Sequence, residues 1–320
     1  MNAMTRMFVE GWAPEYGAPF DPDEQLAPAE GVVDATVELT GWEPIEGADD
    51  GVDRIAFVDG VRRVDARLLL DDPVAGPSPG ICGTFAVGAT DWHRSQRRSE
   101  ITEVRVERWA VFSGGRDEQL PGVDLEPPYR STMTASDDPS HLMKELHTRM
   151  RRAEGELATQ LAADAFVVAD GPLNKPLAPL PVVGYIKSHR VTYLPLEQNA
   201  VVAELAPGQR TPLFTIAADR PDVCRYSWYV RLAMLPGGHS WTGIVRCEAS
   251  GRLPKDDVRR MADRTAAVLP MVGSEPHIDP RAPQNLVPIG ALERDLRHRM
   301  GDPGLVYRAL RLSVSERAVS

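Results

Sequence analysis

The stretch DRIAFVDGVRRVDARLLL, residues 53 to 70, decides the architecture. Its first half is an apolar run rich in strand formers, and its second half alternates apolar with charged residues, the period of a strand with one covered face. Between them stands Asp59-Gly60, a pair that favours tight turns, so the stretch predicts a hairpin displaying Asp59. A second Asp-Gly closes AFVVADG, residues 165 to 171, after another short β-branched strand.

Working outward, GICGTFAVGAT (80 to 90), EITEVRVERWAVFS (100 to 113) and VVGYIKSH (182 to 189) read as strands, as do TPLFTIA, RYSWYVRLAML and WTGIVRCEA further on. HLMKELHTRMRRAEGELATQLAADA (141 to 165) spaces its apolar residues as a helix does, with Ser140 or Asp137 available as a cap. Helices are also expected near 194 to 205, 255 to 269 and 288 to 299. Residues 1 to 50, rich in Pro, Gly, Asp and Glu without periodicity, predict an irregular N-terminal arm. The remainder, 51 to 320, predicts one α/β or α+β domain, a central mixed sheet flanked by helices with a strand-and-helix extension.

Composition narrows the function classes. A hydrophobic content of 42% supports a buried core, and a formal charge of −10 argues against a coat for nucleic acid, which needs an excess of Lys and Arg. An enzyme with only a local basic channel is compatible with that charge. Nothing approaches the roughly 18 consecutive apolar residues of a membrane helix, and MNAMTRMFVEGWAPEYG lacks a secretory apolar run, so a cytoplasmic protein is expected. Cys82, Cys224 and Cys247 form no metal-binding or disulfide spacing, and His141, His147, His189 and His239 show no zinc spacing. Neither a phosphate-loop motif nor a nucleophile elbow is present.

Asp59 and Asp170 each end an apolar strand before a glycine, placing a carboxylate where the backbone turns and a phosphate can approach. Carboxylates on rigid elements hold Mg²⁺ or Mn²⁺, which activate water and stabilise charge in phosphodiester hydrolysis. The long helix adds Glu154 and Glu156, roughly 200° apart on its surface, so only one can face the sheet. Glu154 lies beside the apolar face of Leu146, Met150, Leu157 and Leu161, and is favoured as a third ligand. Pairing of either glutamate with Arg151 or Arg152 is the alternative. Lys187 reads either as a phosphate-binding charge or as a solvated strand-end lysine.

The succession FVDG (57 to 60), RRAE (151 to 154), VVADGPL (167 to 173), VGYIKSHR (183 to 190) and SWYVRL (227 to 232) resembles the NurA nuclease family. The resemblance implies an RNase H-like fold, a homodimer, and DNA hydrolysis with Mn²⁺ or Mg²⁺ by a two-metal mechanism beside a HerA-type hexameric ATPase translocase. It implies Asp59, Glu154 and Asp170 as metal ligands and Lys187 beside the scissile phosphate. Arg190 and Arg231 are expected on the DNA side, Arg231 also as framework near the site, and Asp295 or His298 in NLVPIGALERDLRH (285 to 298) as the nearest match to a fourth ligand. Val61 and Pro172 depart from the family, which usually has a serine after each Asp-Gly. Two other readings stay open: a degenerate NurA-like assembly partner of a translocase, and an actin-like or sugar-kinase-type ATPase, whose second Gly-rich phosphate turn the chain lacks.

Overall fold

The computed structural model describes residues 32–72, 76–116, 118–120, 122–173, 180–188, 191–217 and 224–317. In chain order the elements are β1 (Val32–Asp34), β2 (Ile45–Glu46), β3 (Arg54–Asp72), β4 (Gly76–His93), β5 (Arg98–Phe112), β6 (Tyr129–Met133) and α1 (Pro139–Leu161). There follow β7 (Phe166–Asp170), β8 (Val182–Ile186), α2 (Leu196–Glu204), β9 (Gln209–Arg210), β10 (Phe214–Ala217), β11 (Arg225–Arg231), β12 (Ile244–Ser250), α3 (Lys255–Val268), α4 (Val287–Arg299) and α5 (Pro303–Arg317). This is a mixed α+β chain. It divides into two compact units built from interleaved segments: residues 1–57, 92–99 and 158–290 form the first, and residues 58–91, 100–157 and 291–320 the second.

In the first unit the strands hydrogen-bond in the order β1-β10-β11-β12-β8-β7, with β9 on β11 and β2 on β9. All these pairs are antiparallel except β7 with β8, which run parallel with Asp170 opposite Tyr185. Alternation along β11 shows both faces covered. Trp228 and Val230 join Met261, Ala262 and Ala266 of α3 in one cluster, whereas Tyr229 joins Val202 of α2 with Phe214 and Ile244 in another. Residues 32 to 50, expected to be irregular, instead contribute β1 and β2 to this sheet. Glu38 anchors them: its carboxylate accepts two bonds of 2.9 Å from the buried Arg210 and one of 2.6 Å from the Leu213 N–H. Residues 1 to 31 of the expected arm lie outside the described residues.

The second unit pairs β3, β4, β5 and β6 in that order, with β6 parallel to β5. Here too the period of two sorts side chains onto two layers. Ile81, Phe85 and Val87 of β4 meet Leu142, Leu146 and Met150 of α1, while Cys82 and Ala86 turn to clusters with α5 and α4. Gly83 permits the close seating of α1, since a Cβ there would lie 2.3 Å from Leu146 Cδ2. The predicted hairpin at Asp59-Gly60 is not formed. β3 continues through both residues as one nineteen-residue strand, and Gly60 has no positive φ. Asp-Gly favours a turn only where nothing longer-range competes, and here strand pairing and burial on both faces prevail. Strand β6 and helix α5 were not foreseen.

Candidate functional site

In the second unit, continuity of β3 determines which helix each side chain addresses. Gly60 faces α1: a Cβ built on it would stand 2.3 Å from Glu154 Oε1 and 3.1 Å from Met150 Cγ. Val61 faces the opposite layer, in contact with Leu292, Leu296 and Met300 of α4 and the turn after it. Asp59, two residues before Val61, shares the α4 side. Its acidic neighbour is therefore Glu293, which stands on α4 within the apolar stripe of Ile289, Leu292 and Leu296. Asp59 and Glu293, 7% and 6% exposed, offer carboxylate oxygens within 4.8 Å of each other. Asp59 Oδ1 also accepts the Gly60 N–H at 2.7 Å, and Glu293 Oε2 accepts Arg297 Nη2 at 3.1 Å.

Glu154 is buried as expected, but on the other face of β3, with Arg151 Nη1 donating to its Oε2 at 2.6 Å. Glu156 is exposed and pairs with Arg152 at 2.9 Å. Helical periodicity thus ranked the two glutamates correctly for burial, while the sheet's alternation separates Glu154 from the Asp59 carboxylate. Asp295, the expected fourth ligand, also takes an arginine partner. It points away from the apolar stripe of α4 and accepts Arg299 Nε at 2.6 Å. Glu293 could have been found from sequence, because it lies four after Ile289 and three before Leu296, on the stripe that must be buried.

A β-carbon at Gly60 has no room while Glu154 stays on Arg151. Gly60→Ala is expected to cost about 1–3 kcal/mol of stability, read by urea unfolding. Pairing it with Glu154→Ala should return most of that loss; a strictly additive double variant would show that the contact is not what Gly60 serves.

In the first unit, Asp170 ends β7 and the chain does turn, with Gly171 at φ 86°. The Gly171 N–H donates to Tyr185 O at 2.8 Å, and the Leu173 N–H donates to Glu248 Oε1 at 2.6 Å. Glu248 is fully buried. Burial alone would push its carboxyl up, but Arg225 and Arg246, with the Leu173 N–H, hold it below the ordinary value of 4.5. Lys187, just beyond β8 and 5% exposed, donates to Asp170 Oδ2 at 2.6 Å and to Asn285 Oδ1 at 3.0 Å. Asn285 Nδ2 in turn donates to Asp279 Oδ2 at 2.5 Å. Burial raises the Asp279 carboxyl, yet the Asn285 and Arg281 donors bring it below its usual range. Lys187 is thus a built-in residue of the Asp170 turn, not a solvated lysine.

Arg231 has another use than DNA contact. It is 1% exposed and its guanidinium is spent on backbone carbonyls: Nη1 donates to Thr242 at 2.7 Å, Nη2 to Ala203 at 2.9 Å and Ser240 at 2.7 Å, and Nε to Leu205. Burial lowers its pKa. It belongs to the framework, joining the end of α2 to the loop before β12. His189 and Arg190 lie outside the described residues. Cys82 and Cys247 are buried thiols; burial pushes Cys82 up to about 12, far from a reactive thiolate. Among the described residues no helix is long and apolar enough to cross a membrane.

No protein-family model matches the chain, and no curated protein sequence matches it. Among solved structures, the crystal structure of human endonuclease V aligns over 78% of this chain and 85% of its own, at 15% identity and a TM-score of 0.33. A second structure, the catalytic domain of the same human enzyme with substituted cysteines, aligns over 78% of this chain and 83% of its own at 17% identity and a TM-score of 0.29. Likeness at this level falls short of a shared fold.

Proposed function

We propose that this chain is a metal-dependent nuclease in which Asp59 and Glu293 hold a divalent cation. The observation that carries the reading is the buried approach of Asp59 and Glu293, two hard oxygen donors with an oxygen each within 4.8 Å. Two carboxylates sharing a buried space repel unless a proton or a cation lies between them, and Mg²⁺ or Mn²⁺ favours oxygen ligands over any thiolate or imidazole. Asp170 is assigned as a further metal ligand by the NurA resemblance and by the sequence, which puts both aspartates at ends of apolar segments before a glycine.

When bound, such an ion activates water and screens the charge that develops on a phosphodiester. The chain's own residues divide the remaining work. Lys187 orients Asp170 through its 2.6 Å bond and brings a positive charge to the phosphate side, while Asn285 keeps the ammonium directed. Glu248 holds the turn that presents Asp170. The finer reading follows the NurA resemblance: DNA as substrate, an RNase H-like core, a second metal ion, manganese or magnesium as the working metal, a homodimer in the cytoplasm and a HerA-type translocase as partner. In it Arg190 keeps the role of DNA contact.

The test is cleavage of end-labelled single- and double-stranded DNA in Mn²⁺ and Mg²⁺, with EDTA as the blank, alongside calorimetric titration of Mn²⁺ into the protein. Metal-dependent cleavage together with saturable binding supports the proposal. The absence of both, with a translocase supplied, would favour the degenerate assembly partner, a reading kept in view by Val61 and Pro172, which leave no hydroxyl after either Asp-Gly.

A further inference from the structure

Resting on that metal-centre reading, we propose that Arg297 is a phosphate ligand for the substrate, held in reserve on Glu293 until a divalent cation takes the carboxylate. The pair is lopsided. Glu293 has 8% of its side chain exposed and points into the protein, whereas Arg297, one helical turn later, has 59% exposed and reaches the surface. Their single contact, 3.1 Å from Arg297 Nη2 to Glu293 Oε2, is monodentate and open to solvent at the arginine end, the weak kind of ion pair. A divalent cation binding Glu293 would compete with Arg297 for its carboxylate. The guanidinium would then lose its Glu293 acceptor, and its planar fork fits two phosphate oxygens.

Two neighbours show that this is particular to Arg297. Arg299 carries the same charge on the same helix, but its partner Asp295 lies off the buried stripe, so no cation at the site would release it. Lys187 is anchored by both Asp170 and Asn285 and is buried, so it keeps a partner whatever happens to Asp170. Arg297 alone among the three combines a ligand carboxylate as its acceptor with an exposed head.

The experiment measures binding of fluorescent single-stranded DNA to the full chain in Ca²⁺, which leaves the phosphodiester intact, across a salt series, for wild type, Arg297→Gln and Arg299→Gln. Arg297→Gln is expected to weaken binding about tenfold and to reduce the slope of log K against log salt by about 0.7, one phosphate contact. With EDTA in place of Ca²⁺ the difference from wild type should shrink, since the arginine then rests on Glu293. Arg299→Gln should behave as wild type. Equal slopes in all three proteins, or an Arg297 effect independent of Ca²⁺, would overturn the proposal while leaving the metal centre standing. Wild-type protein that takes up no Mn²⁺ by calorimetry overturns the metal centre and this proposal with it.

Discussion

Asp59→Asn is expected to lower metal-dependent DNA cleavage by about a thousandfold or more, a loss of several kcal/mol of transition-state stabilisation, while the protein stays folded. The substitution is close to isosteric, and the new Oδ1 can still accept the Gly60 N–H that Asp59 accepts at 2.7 Å. What is removed is the negative charge. A carboxamide is a poor ligand for a strongly hydrated divalent cation, and its nitrogen would repel one. Glu293→Gln should act alike, because the two residues share one buried space. Asp170→Asn is a less clean probe, since it also leaves the buried Lys187 facing a neutral partner. Single-turnover cleavage rates, taken with unfolding midpoints of the same preparations, decide the matter. Rates within tenfold of wild type for Asp59→Asn and Glu293→Gln would remove the carboxylate pair from the mechanism.

The largest loss of stability is expected from Glu248→Ala, about 3–5 kcal/mol. Truncation strands Arg246, whose Nη1 donates to Glu248 Oε2 at 2.9 Å in the interior, weakens the hold on Arg225 at 3.2 Å, and frees the Leu173 N–H. Gly184 makes the effect harder to repair, because it lets Glu248 lie against β8, with Cγ 3.0 Å from where a Cβ would stand. The sign of the pH dependence follows from the folded carboxyl titrating below its ordinary value of 4.5. The stabilisation is complete above about that pH and is lost as pH falls through the lower folded value. Urea midpoints of wild type and Glu248→Gln should therefore differ at neutral pH and converge in acid. A difference that grew on acidification would contradict the assigned direction.

Much of the secondary structure was legible because it rests on local pattern. The alternation of 100 to 113 and the β-branched run before Asp170 are strands, and the apolar spacing of α1 correctly buried Glu154 and exposed Glu156. What escaped was set by partners distant in sequence. Nothing local distinguishes Asp59-Gly60, carried straight through a long strand, from Asp170-Gly171, where the chain turns at positive φ. Once the first pair was read as a turn, Asp59 had no assigned face, and Glu154 could be grouped with it. The structure gives Asp59 the α4 side, and Glu293 follows. Similarly, Arg231 looks from sequence like a strand-end cation available to a phosphate. Only the return of the loop before β12 and the end of α2 shows its donors committed to carbonyls.

The uninterrupted run of β3 has a consequence for how this chain tolerates changes in length. A strand works as a two-position index: inserting or deleting one residue ahead of Asp59 while pairing is kept would send its carboxylate toward α1 and bring Gly60, which has no side chain, to the α4 side. Changes of two residues preserve the assignment. Viable length variants upstream of Asp59 should therefore be even-numbered, unless a bulge absorbs the odd residue before the carboxylate is reached.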